Sequence, residues 1–149
     1  MKPLRLGRSA LALVMVALAT VSLARADQPK PAYQIICNPS NPTTTVERQF
    51  LVDAFLKKIK TWPSGDILRP VDLHPNSPLR RQFTNDIMRR PVEAVRDYWQ
   101  QRIFAGIDLP PTELDSDDEV IRYVLKNRGA IGYVSATATL NGAKTLTVK

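Results

Sequence analysis

The sequence has 149 residues, 21 of them Lys or Arg and 14 Asp or Glu, for a formal net charge of +7. That length suits one domain and little more. Residues 1–26 hold four of the basic residues (Lys2, Arg5, Arg8, Arg25) and none of the acidic ones, so the rest carries 17 − 14 = +3, a charge that speaks for a soluble protein and does not call for nucleic acid.

The chain opens on a basic stretch, an apolar run from Ala10 to Leu23, and the small-residue pattern Ala24-Arg25-Ala26. The run falls short of the ~20 residues that span a bilayer. The pattern predicts a cleaved secretory signal over residues 1–26. The mature domain, residues 27–149, then starts at Asp27 and is periplasmic or secreted, with no stable membrane insertion after cleavage.

Cys37 is the sole cysteine, so the core must hold the fold without an internal disulfide. Tyr33-Gln-Ile-Ile-Cys37 reads as a first strand with a buried thiol. Asn38-Pro-Ser-Asn-Pro42 is turn chemistry. Thr44 and Glu47 have capping-box spacing, and Val46, Phe50, Leu51, Ala54 and Phe55 form one apolar helical face. That helix should stop between Leu56 and Lys60.

Trp62-Pro-Ser-Gly-Asp66 is a turn leading to a short apolar run at Val71 and Leu73. A helix opens at Ser77, a good N-cap, with Pro78 in the first helical position and Leu79, Phe83 and Ile87 facing a core. Arg80 and Arg81 fall in its first turn, where the helix dipole disfavours cations. Either an anion sits there or the two side chains reach solvent. Arg80 and Arg90 diverge by about 80° on a continuous helix, so the arginine pairs form no basic stripe.

Pro91 starts the next helix, with Val92, Val95, Trp99 and Ile103 on its buried side and Gly106 just past its end. Leu109-Pro-Pro111 is a stiff connection. Ser116 and Glu119 make a second capping box ahead of Val120, Ile121, Val124 and Leu125. Gly129 should end that helix in the left-handed conformation. Ala130-Ile-Gly-Tyr-Val134 is a buried-type strand. Leu140-Asn-Gly-Ala143 suggests a hairpin turn, followed by a strand from Lys144 to Val148.

Chemistry is sparse. His74 is the single histidine. It lies in a Pro-flanked loop without a nucleophile elbow and reads as a surface residue. Asp115, Asp117 and Glu119 alternate like a calcium loop, but Val120 and Lys126 occupy its glycine and glutamate positions. No phosphate-loop or dinucleotide motif is present. These observations predict no enzyme, metal or cofactor. Trp62, Tyr98, Trp99 and Tyr133 are spaced among aliphatics as core or rim residues.

Several stretches in order resemble the phosphate-binding subunits of ABC importers. They are Asn38-Pro-Ser-Asn-Pro42, the Phe50–Phe55 helix, Trp62-Pro-x-Gly65, Ser77…Phe83, Tyr98-Trp99…Phe104 and Gly129-Ala-Ile-Gly-Tyr-Val134. The resemblance implies an α/β chain with one lobe of a type II periplasmic-binding-protein-like fold, a mixed sheet flanked by helices. Such proteins close two lobes on their anion, and residues 27–149 cover one. In the family an arginine four residues before Ser-Gly-Thr holds phosphate at a helix start. Here Ser77 matches the serine, Pro78 and Leu79 replace Gly and Thr, and Leu73 replaces the arginine.

What remains as a candidate anion site is Ser77, the amides of Leu79 and Arg80, and the Arg80 side chain. The resemblance therefore implies weak binding of phosphate or another small oxyanion, linked to ABC-type transport. The alternative is a non-enzymatic protein–protein module that has lost ligand binding and meets a partner or another copy of itself.

Overall fold

The computed structural model describes residues 30–149; the signal segment expected over residues 1–26 lies outside them. Among the described residues, six strands and four α-helices run in the order β1 (Tyr33–Cys37), β2 (Thr45–Val46), α1 (Arg48–Phe55), β3 (Arg69–Leu73), α2 (Pro78–Phe83), a π-helical turn (Thr84–Met88), α3 (Val92–Phe104), β4 (Thr112–Leu114), α4 (Asp117–Lys126), β5 (Ala130–Ser135) and β6 (Lys144–Val148). The strands form one mixed sheet in the order β2-β6-β1-β5-β3-β4. β1 is antiparallel to β5 and β6, whereas β3 runs parallel to β5 and to β4.

β5 explains the layering. It is buried over almost its whole length, as expected of a central strand covered on both faces. Successive strand residues point to opposite faces. Tyr133 stacks on Phe83 at 3.9 Å between ring centroids and lies 6.0 Å from Phe55, which puts α1 and α2 on that face. Gly132 faces the other way, where a Cβ would come within 2.8 Å of Val120 in α4 and of Val71 in β3. The helix α4 can therefore lie close to the sheet only over a glycine.

Two expectations about capping part company. Ser116 caps α4 by accepting from the Glu119 amide at 3.3 Å, and Glu119 reaches back to the Asp115 amide at 2.9 Å. Thr44 and Glu47 do not repeat this. Thr45 and Val46 pair with β6 as an edge strand, and α1 starts only at Arg48 without a side-chain cap. Strand pairing won over helix capping because the Thr44 carbonyl accepts from the Thr147 amide of β6 and the Val46 carbonyl from the Lys149 amide just past it.

Other boundaries also move. Asn141 and Gly142 take positive φ in a tight turn, but β6 pairs with β1 and not with β5, so the turn closes no hairpin. Gly129 does not take positive φ. It is needed because a Cβ there would overlap the Ile67 carbonyl. Ile103, expected on the buried side of α3, is 46 % exposed. The Pro-Pro connection runs into a strand, β4, that its polar residues did not suggest.

Cys37 is fully buried in β1, and burial pushes its thiol above the ordinary range despite nearby Lys144. The thiolate is the reactive form. The native protein should therefore resist a thiol reagent at pH 8 and react fully in guanidinium, a difference that absorbance or mass spectrometry reads directly. Fast native labelling would contradict a central β1.

Candidate functional site

The Ser77 turn stands at the C-terminal ends of β3 and β4, the edge where open α/β sheets place their ligand crevices. After Leu73 the chain turns through His74-Pro-Asn76. The His74 amide donates to the Leu114 carbonyl of β4, and the Ser77 amide to the His74 carbonyl, both at 2.9 Å. His74 itself is exposed, and its Nδ1 accepts from the Asn76 amide at 3.2 Å. Ser77 caps α2, its Oγ accepting from the Arg80 amide at 3.4 Å, with Pro78 in the first turn.

Arg80 follows neither of its two expected courses. Its side chain is 3 % exposed and turns inward. One terminal nitrogen donates to the Leu73 carbonyl and to Glu113 Oε1, each at 2.6 Å, and the other lies 3.3 Å from Asp72 Oδ2. Asp72 and Glu113 are register partners on adjacent parallel strands, where two like charges side by side repel. Arg80 sits between them and neutralises that repulsion. Arg81 is the exposed member of the pair.

The carboxylate side of this cluster is completed by Asp72 Oδ1, which accepts from the Leu73 amide at 3.0 Å and from the Tyr133 hydroxyl. Burial raises the Asp72 carboxyl above its usual range, opposed by Arg80, Tyr133 and the Leu73 amide. The Tyr133 phenol is pushed well above its ordinary value, first by burial and then by the Asp72 charge.

Of the three residues named from the sequence, Ser77 and Leu79 are half-buried at the turn and Arg80 is buried behind it. Ser77 and Arg80 are joined by the cap bond, while the Arg80 guanidinium is committed to Asp72, Glu113 and the Leu73 carbonyl. Sequence reasoning missed Asp72, Glu113 and Tyr133. One signal was there to use: Asp72 lies between Val71 and Leu73 in a buried strand, and a buried charge needs a partner. A larger concavity of about 660 Å3 opens elsewhere, over Tyr33, Gln34, Asp86 and Thr145 of the β1–β6 flank. Ser77 is not part of it.

No protein-family model matches the chain, and no curated protein matches it in sequence. Solved structures do match in fold. An ABC-type phosphate transport receptor from Vibrio cholerae superposes with a TM-score of 0.61 at 16 % identity, over 78 % of this chain and 46 % of that one. A phosphate ABC transporter substrate-binding protein from Clostridium perfringens, with bound phosphate, gives 0.64 at 16 % identity over 78 % and 44 %. PstS from Borrelia burgdorferi gives 0.61 at 14 % identity over 79 % and 47 %. The chain spans a little under half the length of these three proteins. Its mixed sheet flanked by helices is the fold of part of a phosphate ABC transporter substrate-binding protein.

Proposed function

We propose that this chain is an exported, non-enzymatic binding lobe that holds phosphate or a related small oxyanion weakly at the Ser77 turn, in connection with ABC-type transport. The observation that carries the reading is the shared fold with substrate-binding proteins described as phosphate receptors, one of them with phosphate bound. The position of Ser77 at the C-terminal edge of the parallel strands agrees with it. Weakness follows from the residues. Pro78 offers no amide proton, Leu79 no hydroxyl, and the Arg80 guanidinium already serves two carboxylates.

The test is thermal. A ligand that binds only the native state stabilises it by about 2.7 kcal/mol at a hundredfold excess over Kd. Phosphate should raise the melting temperature saturably, sulfate less so, and Ser77→Ala should abolish the rise while costing only the ~1 kcal/mol of a lost N-cap. A flat response through millimolar phosphate would end the anion reading at this turn.

A second reading, a protein–protein module, has its own observation. Phe104 is 90 % exposed, with Ile107 at 60 % and Leu109 at 64 % close by in the chain. Apolar groups exposed together mark interaction surfaces more often than single ones do. A flat phosphate response would favour this reading.

A further inference from the structure

Arg48, Lys58, Arg89 and Arg90 line a single cleft of about 220 Å3, with Leu56 and Tyr98 among its walls. Among the described residues no carboxylate lines it. Arg48, Arg89 and Arg90 form no ion pair among the described residues, and Lys58 has only Asp53, at 3.9 Å. Four cations around one small concavity raise its positive potential; water screens the exposed Lys58, Arg89 and Arg90, and a bound anion would lower the potential further.

Helix dipoles account for part of the cluster. Arg89 and Arg90 follow the π-helical turn, and Lys58 comes three residues after α1 ends. Cations are favoured at such C-terminal ends. Arg48 is different: it is the first residue of α1, at the end where the dipole disfavours a cation. Its guanidinium is anchored to the Ile87 carbonyl, which holds a fourth positive charge beside the other three.

The backbone adds a second oddity. Arg89 takes φ 53° and ψ 39°, left-handed geometry that glycine adopts freely and a side chain resists. The π-helical turn just before it is itself a rare form that tends to occur at functional sites. Helices often end in a left-handed residue, and Lys57 after α1 is another; what sets Arg89 apart is that it lines the cleft.

The geometry points to a binding site for a small polyvalent oxyanion, one carrying two or more phosphate or carboxylate groups. Guanidinium forks bind both kinds of group in paired hydrogen bonds. The cleft is smaller than the ~300–1,000 Å3 of pockets for drug-sized ligands, so a compact anion fits it and a nucleotide cofactor does not. It lies at the other end of the helical run from Ser77, roughly 15 Å away at ~1.5 Å rise per residue. This site does not depend on the Ser77 turn binding anything.

Titration calorimetry on the purified protein, with pyrophosphate and with citrate, tests the assignment. Saturable binding of at least one is expected, weakened tenfold or more by Arg89→Gly and by Arg90→Gln and unchanged by Ser77→Ala. Pyrophosphate binding alone would set the ligand as a phosphate compound, and citrate alone as a polycarboxylate. Arg89→Gly relaxes the left-handed backbone, so its melting temperature should hold or rise while affinity falls. Lys58→Gln, exposed and outside every helix and strand, should weaken binding several-fold without touching the fold. Absence of saturable binding, full affinity in the Arg89 and Arg90 variants, or loss with Ser77→Ala would each overturn the proposal.

Discussion

Gly129→Ala is expected to leave the protein largely unfolded at 25 °C. The added Cβ would overlap the Ile67 carbonyl, which is backbone and cannot rotate aside as a side-chain tip would. The Gly129 carbonyl also accepts from the Trp62 indole and from the Arg69 amide, both at 2.9 Å. Moving the glycine away from Ile67 therefore breaks the tie between the Trp62 loop and the start of β3. A cost beyond about 4 kcal/mol marks this class of substitution, against a total stability of only about 5–15 kcal/mol. Gly65→Ala is the control. Gly65 has open space around its missing Cβ but φ +89°, so only backbone strain of about 1–2 kcal/mol is expected. Circular dichroism with urea titration separates the two. A Gly129→Ala protein as stable as wild type would mean that the Trp62 loop does not pack as described.

Arg80→Ala should cost about 3–5 kcal/mol, the usual penalty for removing one partner from a buried ion pair. It would leave Asp72 buried with Glu113 beside it on the next strand and no cation between them. Glu113→Gln should cost far less, about 1 kcal/mol or below, because its side chain is 39 % exposed and water screens it. Pairing Arg80→Met with Asp72→Asn should recover much of the loss, since it removes both buried charges together.

The same cluster carries a pH signature. A carboxyl raised on folding binds its proton more tightly in the native state. Its contribution to stability is therefore full below the unfolded value of about 3.9 and is lost as pH rises through the raised native value. Asp72 is such a group, and Asp72→Asn should flatten that part of the pH–stability curve. Denaturant midpoints measured from pH 3 upward would show it. An unchanged slope in Asp72→Asn would place the pH dependence elsewhere.

Local patterns in the sequence determined a good deal of this protein. The strand at Tyr33–Cys37 with its buried thiol, the Ser77 cap followed by Pro78, the Ser116–Glu119 capping box and the β5 strand are all written in a few adjacent residues. Period and capping chemistry act over one or two turns, so they survive without knowledge of the neighbours. The likeness to phosphate-binding subunits rested on an ordered set of motifs and not on local physics, and the fold comparisons agree with it.

Tertiary structure decided the rest. Thr45 and Val46 became a strand because β6, a hundred residues away in the chain, supplied an edge to pair with. Gly129 owes its place to Ile67 and Gly132 its place to Val120 and Val71, contacts that no local conformational rule encodes. Arg80 conflicts with its own helix dipole until Asp72 and Glu113 are seen on either side of it. The arginine pairs stay apart in the fold as well: Arg80 is held by Asp72 and Glu113, while Arg89 and Arg90 line a cleft with Arg48 and Lys58. In each case the deciding energy is a charge, a hydrogen bond or a steric contact supplied by a residue distant in sequence, and only folding puts the two within reach.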